Sequence, residues 1–525
     1  MQTKALNKEE LIGLLQARFE NDSITSLSEL PHPHTMPNAK KAAIRVKEAI
    51  QNKEPITIVG DYDVDGVVSS AILEEFLQKN GADVDTVIPC RFQDGYGLGV
   101  GIIERIKTKL VITVDNGIAA IEASKLCEQR GIELIIIDHH TIGETLPIAH
   151  AIVHPKIDEG FVFGEICAAE VVWYFMAALK IELGVNDNLK EYLDLVAIAT
   201  IADVMPLRDI NRVIVKAGID VIKTSKRPAI ATMRSKLGKT EFSSTDIAYK
   251  ISPRLNSAGR LVLAKEAFSF LRAKSVEEAS IFFDKLDSLN EESKKIELSV
   301  YEEAMTTVDK DADIIVVAKE GWHEGVVGIV ASRLAQHFKK PSIVFSIEGQ
   351  NAKGSARSIG NINIFELISK SASLLSNFGG HKMAAGVSLS AANIDAFRAL
   401  INEAARGYTP SGECVCKECV GEVPFCDIDD ELANILDRFE PYGEANEKPV
   451  FFGSAKTVAE FKTIGAGKGF KMTLVDDEGT DVRAVCFRTS NTPKNGDKIN
   501  LRFSVYKNDF FGGSVELMVE EIIAS

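Results

Sequence analysis

Tryptophan and cysteine are scarce in this chain of 525 residues, which holds 2 and 8 of them. So few cysteines over such a length exclude a disulfide framework. Cys90, Cys127, Cys167 and Cys486 stand singly among mostly apolar neighbours and read as small core residues in a reducing compartment. Cys414, Cys416, Cys419 and Cys426 are clustered, but more tightly than in zinc ribbons and where the chain enters a strand. Unligated thiols are therefore preferred over a metal knuckle. Long apolar runs are also missing. No stretch approaches the roughly 18 residues of a membrane span, and Met1 to Glu10 lacks the apolar core of a signal peptide. A cytoplasmic protein without a membrane segment is expected. Positive charge is short too: the net charge is −15, which excludes a protein that coats nucleic acid indiscriminately. A local basic groove stays open, because phosphate binding depends on the cations that touch it and not on the total. The 45% hydrophobic content is ordinary for a globular protein, and the length suggests three or four domains.

What the chain does have is carboxylate at strand ends. The apolar residues 56–60 read as a strand and run into Asp61-Tyr62-Asp63-Val64-Asp65-Gly66. Three carboxylates on one loop repel one another unless cations neutralise them. The pattern recurs where residues 109–114 end in Asp115-Asn116-Gly117 and residues 133–137 end in Asp138-His139-His140. In a parallel α/β sheet the carboxyl ends of the strands share one edge, where ligands sit, so these groups converge. Asp203, behind the apolar helical stretch 192–202, is a fourth candidate. A lone aspartate after a strand is usually a turn or helix cap. The conjunction of three such ends in order sets that bland reading aside. Carboxylates and imidazole with no cysteine nearby suit Mn²⁺ or Mg²⁺ better than structural zinc.

Residues 1–44 read as an N-terminal helix and a turn-rich tether through Pro31-His32-Pro33-His34-Thr35-Met36-Pro37, whose histidines read as surface linker. Residues 45–210 alternate strand and helix, the signature of a parallel sheet. Within them Gly95-Tyr96-Gly97-Leu98 is a loop flexible enough to approach phosphate, although alone this glycine signal is weak. Residues 211–308 become helical, and Phe282, Leu286, Leu289, Ile296, Val300 and Ala304 recur at intervals near three, four or seven. That spacing predicts one long amphipathic connector from Val276 to about Val308. A second α/β lobe follows over residues 309–410. Its Gly354-Ser355-Ala356-Arg357-Ser358 joins hydroxyls to a guanidinium, and its Gly379-Gly380-His381 puts exposed amides beside an imidazole. Both suit phosphoryl oxygen. Residues 411–525 hold short alternating strands broken by Gly and Asn, the pattern of a small OB-like β-barrel. There Phe461, Phe470, Phe487, Phe503, Tyr506, Phe510 and Phe511 sit among Lys462, Lys468, Lys471, Arg483 and Lys507. Most barrel phenylalanines are core, but two or three of these are expected to face single-stranded bases.

The order Asp63, Asp65, Asp115, Asp138-His139-His140, Asp203 resembles the DHH phosphoesterase superfamily, and Arg91-Phe92-Gln93-Asp94-Gly95-Tyr96-Gly97-Leu98 is similar to its RecJ branch. The similarity continues through the segments 251–260, 321–328, 354–358, 379–386 and 441–446, and covers about residues 40 to 525. It implies a DHH catalytic domain and a DHH-associated domain joined by the long helix, with a cleft between them and an OB-fold barrel behind. The activity implied is a metal-dependent exonuclease that degrades single-stranded DNA from the 5′ end to nucleoside 5′-monophosphates, in DNA repair and recombination. Two divalent cations, Mn²⁺ or Mg²⁺, are then expected on Asp63, Asp65, Asp115, His139 and Asp203, with Asp115 bridging. His140 is left free of metal to donate a hydrogen bond or proton to phosphoryl oxygen. Arg91, Arg254, Arg260, Ser355 and Arg357, with Gly379, Gly380 and His381, are expected to hold the terminal phosphate and backbone. A narrow cleft would reject duplex. A monomer assisted by a helicase and a single-strand-binding protein is the expected working state.

The chain departs from the family pattern twice. Val59 stands where many members carry a histidine, which leaves water or Asp61 to complete one cation site. Ser293 stands where a basic residue is expected, with Lys294 beside it as a substitute. Two rivals share parts of the pattern. The added barrel and length disfavour a compact hydrolase of oligoribonucleotides or cyclic dinucleotides, and the full ligand set disfavours a non-catalytic replication scaffold.

Overall fold

The computed structural model describes residues 5–523 except residues 92, 96, 159–160, 407–418, 465–468, 488–491 and 509–512. Phe92, Tyr96, Cys414, Cys416, Lys468, Phe510 and Phe511 therefore lie outside the described residues. The first lobe is built on a parallel sheet of β1 (Ile56–Val59), β2 (Val84–Val87), β3 (Leu110–Val114), β4 (Glu133–Ile137) and β5 (Ala151–Val153), in the order β2-β1-β3-β4-β5. Ile56 pairs with Leu110, and Leu110 with Glu133, so the three strands finish level with one another. β1 and β3 are buried along their whole length, as strands covered by helices on both faces must be. The Val64–Lys79 and Ala168–Leu183 helices share their main core.

The predicted connector is a single helix, Val276–Thr307, whose Ser275 cap accepts from Glu278 N at 3.2 Å. Its first half places Phe283, Leu286 and Leu289 in the core of the first lobe. Its second half places Val300 and Ala304 in a separate core with Val317, Trp322 and Val330. One helix thus belongs to two cores, which ties the lobes together. Ser293 is buried on this helix, while Lys294 pairs on the surface with Glu291 at 2.8 Å.

The second lobe is a mixed sheet of β6 (Ile315–Glu320), β7 (Ser342–Glu348), β8 (Asn351–Arg357), β9 (Leu375–Gly380) and β10 (Ala384–Ser390), ordered β6-β7-β8-β10-β9. After β11 (Cys419–Glu422), the barrel consists of β12 (Val450–Ile464), β13 (Gly469–Val475), β14 (Asp481–Cys486), β15 (Lys498–Asn508) and β16 (Ser514–Ile523). β15 pairs back onto β12, which closes the five strands. Phe451, Phe470, Leu474, Leu501, Phe503 and Leu517 fill the interior.

The N-terminal residues join this barrel. Leu6, Leu11 and Leu15, the last two on the Lys8–Ala17 helix, are buried in the barrel core, and Leu6 N donates to Glu422 O at 2.8 Å. Behind that helix Phe19 lies against Arg212 at 4.1 Å and Asp22 pairs with Arg208 at 2.6 Å, both on the first lobe. A turn over residues 441–446 makes the second joint: Leu207 N donates to Glu444 O at 2.8 Å, and Ser244 Oγ donates to Tyr442 O at 2.6 Å. His34 lies 3.5 Å from Glu182. Among the described residues no helix is long and apolar enough to cross a membrane.

Candidate active site

The level ends of β1, β3 and β4 deliver Asp61, Asp63 and Asp65, then Asp115, then Asp138, His139 and His140 to one edge. Asp63 caps the Val64–Lys79 helix by accepting from Gly66 N at 3.1 Å. A Cβ on Gly66 would lie 2.6 Å from Asp61 N, so the loop folds back this tightly only because that residue has no side chain. Asp65 accepts from Ala168 N at 2.6 Å and Ala169 N at 2.9 Å, which pins it at the positive end of the Ala168–Leu183 helix. Asp115 sits at φ 62°, a left-handed conformation that aspartate tolerates better than most residues.

Two residues beyond the expected set hold this edge in shape. Asn116 Nδ2 donates to Gly60 O and Val114 O, both at 2.9 Å, and its Oδ1 accepts from Leu98 N at 3.0 Å. It thereby staples the ends of β1 and β3 to the glycine loop. Asp138 accepts from Ile118 N at 2.9 Å, His139 N at 2.8 Å and His140 Nδ1 at 2.7 Å. It fixes the His140 ring, whose Nε2 is left to face a ligand, and holds the backbone of His139. Both were visible in the motifs, but a sequence shows no such bonding partners.

His139 Nε2 lies 3.3 Å from Asp115 Oδ1, 3.6 Å from Asp203 Oδ2 and 3.8 Å from Asp65 Oδ2. Three groups can each close on one ion: Asp115 with His139 and His140, Asp65 with His139 and Asp203, and Asp61 with Asp63 and Asp115. All expected ligands are therefore together. Asp61, a mere stand-in for the missing histidine on sequence grounds, joins them, and Asp115 belongs to two groups.

Burial pushes the carboxyls of Asp61, Asp115 and Asp203 well above their usual range, and neighbouring carboxylates push further: Asp63 on Asp61, and Asp65 on the other two. Burial and Asp63 take Asp65 up to about 7. Asp138 behaves in the opposite way, since the His140 hydrogen bond and charge outweigh its burial and hold it at about 2. His140 rises in return to about 9 although burial opposes it. His139, buried and beside a charged His140, falls to about 3, so its ring is neutral and has a lone pair to give. Asp61 Oδ1 and Asp203 Oδ2 are buried and have no hydrogen-bond partner. Orphaned, crowded oxygens and a neutral imidazole fit hard divalent cations.

The basic residues divide. Burial and, after it, the charge of Arg91 lower the pKa of both Arg260 and Arg357, so both guanidiniums lie within reach of Arg91. Arg91 lies 5.5 Å over the Tyr62 ring, which puts it next to the carboxylate edge. Arg357 Nη1 donates to Ser355 Oγ at 2.8 Å. A Cβ on Gly328 would lie 3.1 Å from both Arg357 Nη2 and Ser355 Oγ, so the start of the Val327–Phe338 helix closes onto the pair. Arg254 pairs with Asp287 at 2.7 Å. Gly379 and Gly380 end β9, and His381 Nδ1 meets Thr141 Oγ1 at 3.2 Å across the cleft.

On the barrel, a groove of about 490 Å³ is lined by Phe461, Lys462, Lys471, Arg483, Glu460 and Glu516 among others. Phe470 and Phe503 are core, Tyr506 donates to Glu516 at 2.9 Å, and Phe487 is 54% exposed. Cys419 is half-buried, Cys426 is exposed, and neither joins an ion-holding group among the described residues.

The chain matches the DHH family, N-terminal domain over residues 55–200, the DHHA1 domain over 311–407 and the RecJ OB domain over 421–521. It is 37% identical over 470 residues to the single-stranded-DNA-specific exonuclease RecJ of Bacillus subtilis (strain 168). That match covers 87% of this chain and 59% of the relative, so the chain spans less than two thirds of that protein. With the RecJ of Escherichia coli (strain K12) it is 30% identical over 558 residues, 98% of this chain and 96% of the relative. The crystal structure of RecJ in complex with Mn²⁺ from Thermus thermophilus superimposes with a TM-score of 0.83 at 28% identity, covering 100% of this chain and 79% of that one. With three family domains in order and two relatives of this identity along it, the chain belongs to the RecJ family of DHH proteins.

Proposed function

We propose that this protein is a divalent-metal-dependent exonuclease that hydrolyses single-stranded DNA from the 5′ end and releases nucleoside 5′-monophosphates. The observation that carries this reading is the juxtaposition of cation-ready carboxylates with Arg91, which lies over Tyr62 and whose charge reaches both Arg260 and Arg357. Guanidiniums gathered beside Arg91 favour a doubly charged phosphate among them, and Ser355 adds a hydroxyl to the same cradle. A phosphate held there places the next phosphodiester toward the carboxylate edge, which sets both direction and product.

Asp61, Asp63, Asp65, Asp115, His139 and Asp203 would hold two cations, Mn²⁺ or Mg²⁺: Asp115 closes with Asp61 and Asp63, and it would be shared because it also lies 3.3 Å from His139 of the group with Asp65 and Asp203. Bound there, such ions supply an activated water and neutralise charge developing at phosphorus. The chain's own residues do the rest. Asp138 fixes His140 through Nδ1, and the charged ring offers its Nε2 proton to a phosphoryl oxygen. Thr141 and His381 bridge the lobes, and Gly379 and Gly380 bring backbone amides to the same wall. Strand beyond the cleft would lie in the barrel groove, against Lys462, Lys471 and Arg483. Arg254, bound to Asp287, would be a support of the cleft wall. The relatives named above are single-stranded-DNA-specific exonucleases, which supports the substrate. DNA repair and recombination in the cytoplasm is the proposed setting, with a helicase supplying single strands and a single-strand-binding protein keeping them open to a monomeric enzyme.

Single strands and duplexes labelled at the 5′ or 3′ end, digested with each metal and without, test the whole reading. Early release of the 5′ label as a mononucleotide is expected, only with Mn²⁺ or Mg²⁺ and only from single strands. First release of the 3′ label would overturn the direction, and metal-free digestion the chemistry.

A further inference from the structure

The sheet of the first lobe is ordered by charge as well as by pairing. Its three inner strands, β1, β3 and β4, end in the carboxylates and imidazoles, whereas the two outermost, β2 and β5, run on into Arg91 and Lys156. Arg91 lies by the phosphate cradle at one end of the edge. Lys156 occupies the matching place at the other end.

Its backbone is tied to the loop that carries the two active-site imidazoles. His154, buried just past β5, accepts from Lys156 N at 3.1 Å through Nδ1, which leaves the ring proton on Nε2 to donate to His140 O at 2.8 Å. The lysine side chain runs across Gly164, where a Cβ would lie 3.2 Å from Lys156 Cγ, and its Nζ ends 2.8 Å from Glu165 Oε1. Glu165 is fixed in turn by Asn211, whose Nδ2 donates to Glu165 O at 2.7 Å. Lys156 is also close to the cleft wall formed by the second lobe. Burial lowers the pKa of His381, and after it the charges of His140 and Lys156 do so, which puts this ammonium within reach of the Thr141–His381 bridge. The same charge reaches His139.

The side chains of Lys156 and Glu165 are 40% and 59% exposed. An ion pair so open to water is worth little, so it keeps the ammonium extended without binding it tightly. A DNA phosphate brings the same charge and releases counterions as it binds, and so can displace the carboxylate. Neighbouring strands are about 4.8 Å apart, so β5 ends about one such step beyond β4, the last strand that carries candidate ligands.

We propose that Lys156 is a further DNA-binding residue: its ammonium exchanges Glu165 for the phosphate one linkage 3′ of the scissile one, so a strand laid across the sheet edge is gripped beside β2 and beside β5 with the reacting linkage between. The proposal rests on the 5′-end, single-strand reading given above, which sets the terminal phosphate by Arg91 and the first linkage at the carboxylates. Glu165 is then a placeholder that holds the lysine ready until the substrate replaces it.

The full-length parent, Lys156→Ala, Lys156→Arg and Glu165→Gln test this with Mn²⁺ on two 5′-phosphorylated single strands, one all-phosphate and one with a neutral methylphosphonate at the second linkage. Release of the first nucleotide gives kcat/KM. On the all-phosphate strand Lys156→Ala is expected to lose about tenfold, Lys156→Arg to stay within about twofold of the parent, and Glu165→Gln to gain about two- to threefold because the competitor is gone. On the neutral strand the parent itself should be about tenfold slower, and all three variants should match it, since the charge they act on is absent. The proposal is overturned if Lys156→Ala cuts the all-phosphate strand like the parent, if it loses equally on both strands, if Lys156→Arg loses as much as alanine, or if Glu165→Gln is no faster than the parent. Glu165→Gln slowed as much as Lys156→Ala would mark the pair as a structural brace. The parent separates the two levels of the argument. If it does not release nucleotides from the 5′ end of single strands, the functional reading falls and this proposal with it; if it does, and the variants give any of the overturning results, only the role of Lys156 fails.

Discussion

The carboxylate edge of the first lobe and the groove of the barrel gather charge in opposite ways. At the edge, Asp61, Asp65 and Asp115 are buried, and two of the site's oxygens have no hydrogen-bond partner. In the groove, Lys462 and Arg483 are exposed, and Lys462 stands opposite Lys471 on the neighbouring strand. Buried like charges store a large repulsion that a bound ion removes, so each contributes to an all-or-none event. Exposed cations are screened by water and salt, so each adds a small increment to binding. Chemistry should therefore fail abruptly when the edge is altered, while strand binding should decline by degrees when the groove is altered.

The sharpest break in this contrast is Asp115→Ala. Asp115 closes the group with Asp61 and Asp63 and lies 3.3 Å from His139 of the other, so turnover of labelled single-stranded DNA should be lost. Metal-free stability should be unchanged or higher, because a crowded buried carboxylate is gone. Activity within about tenfold of the parent at saturating Mn²⁺ would sink the shared-ligand assignment.

Next in size is the phosphate cradle. Arg357→Ala should slow cutting of 5′-phosphorylated strands by roughly ten- to hundredfold in kcat/KM, from a charge-assisted contact of about 1.5–3 kcal/mol, and slow 5′-hydroxyl strands far less. Arg357→Lys should recover only part, since a point charge cannot reproduce the planar fork. Equal slowing of both substrates would make the arginine a general backbone contact.

The pH dependence of stability distinguishes the two kinds of charge within the edge itself. Asp65, raised to about 7, with Asp61, Asp115 and Asp203 raised as well, binds protons more tightly folded than unfolded. Those groups favour the fold while protonated, and that advantage is lost as pH climbs through their raised values. The Asp138 and His140 pair contributes the reverse on its acid side: Asp138, lowered to about 2, stabilises above its unfolded pKa and loses that as pH falls toward 2. His140, raised from 6.5 to about 9, contributes fully below 6.5 and loses that contribution as pH rises from there through 9, which adds to the same fall. Without metal, melting temperature should fall by several degrees between about pH 5 and about pH 8, and Mn²⁺ should flatten or reverse the slope. A metal-free protein whose melting temperature rises over that interval would contradict the raised carboxyls.

Much of this is legible in the residues alone. Strand-end carboxylates announce themselves because a buried parallel strand is a short apolar run and an acid at its end is conspicuous. The connector is equally plain, since the period of Leu286, Leu289, Val300 and Ala304 matches the face the helix buries. The hidden parts depend on distant partners. Leu11 and Leu15 announce an amphipathic helix but not that its core lies in the barrel, where Lys8 reaches Asp429 at 2.7 Å. Asn116 and Asp138 act through bonds to backbone groups that no residue type reveals. The barrel aromatics divide by place: Phe470 and Phe503 point inward from their strands, and Phe487, just past the end of β14, is at the surface.

The smallest effect expected belongs to the groove. Lys462→Ala and Arg483→Ala should each weaken binding of a long single strand only several-fold, because each removes one screened phosphate contact. Phe487→Ala should cost about 1–3 kcal/mol if a base stacks on the exposed ring, and next to nothing if none does. For strands too short to leave the cleft, all three proteins should bind and cut like the parent. Dissociation constants for a long and a short strand, measured at two salt concentrations, decide the matter. Losses confined to the long strand, with a shallower salt dependence for the two cation variants, mark the groove as a track for DNA. Equal losses at both lengths would mean that the groove supports the cleft instead, and the contrast between an all-or-none edge and an additive groove would no longer hold.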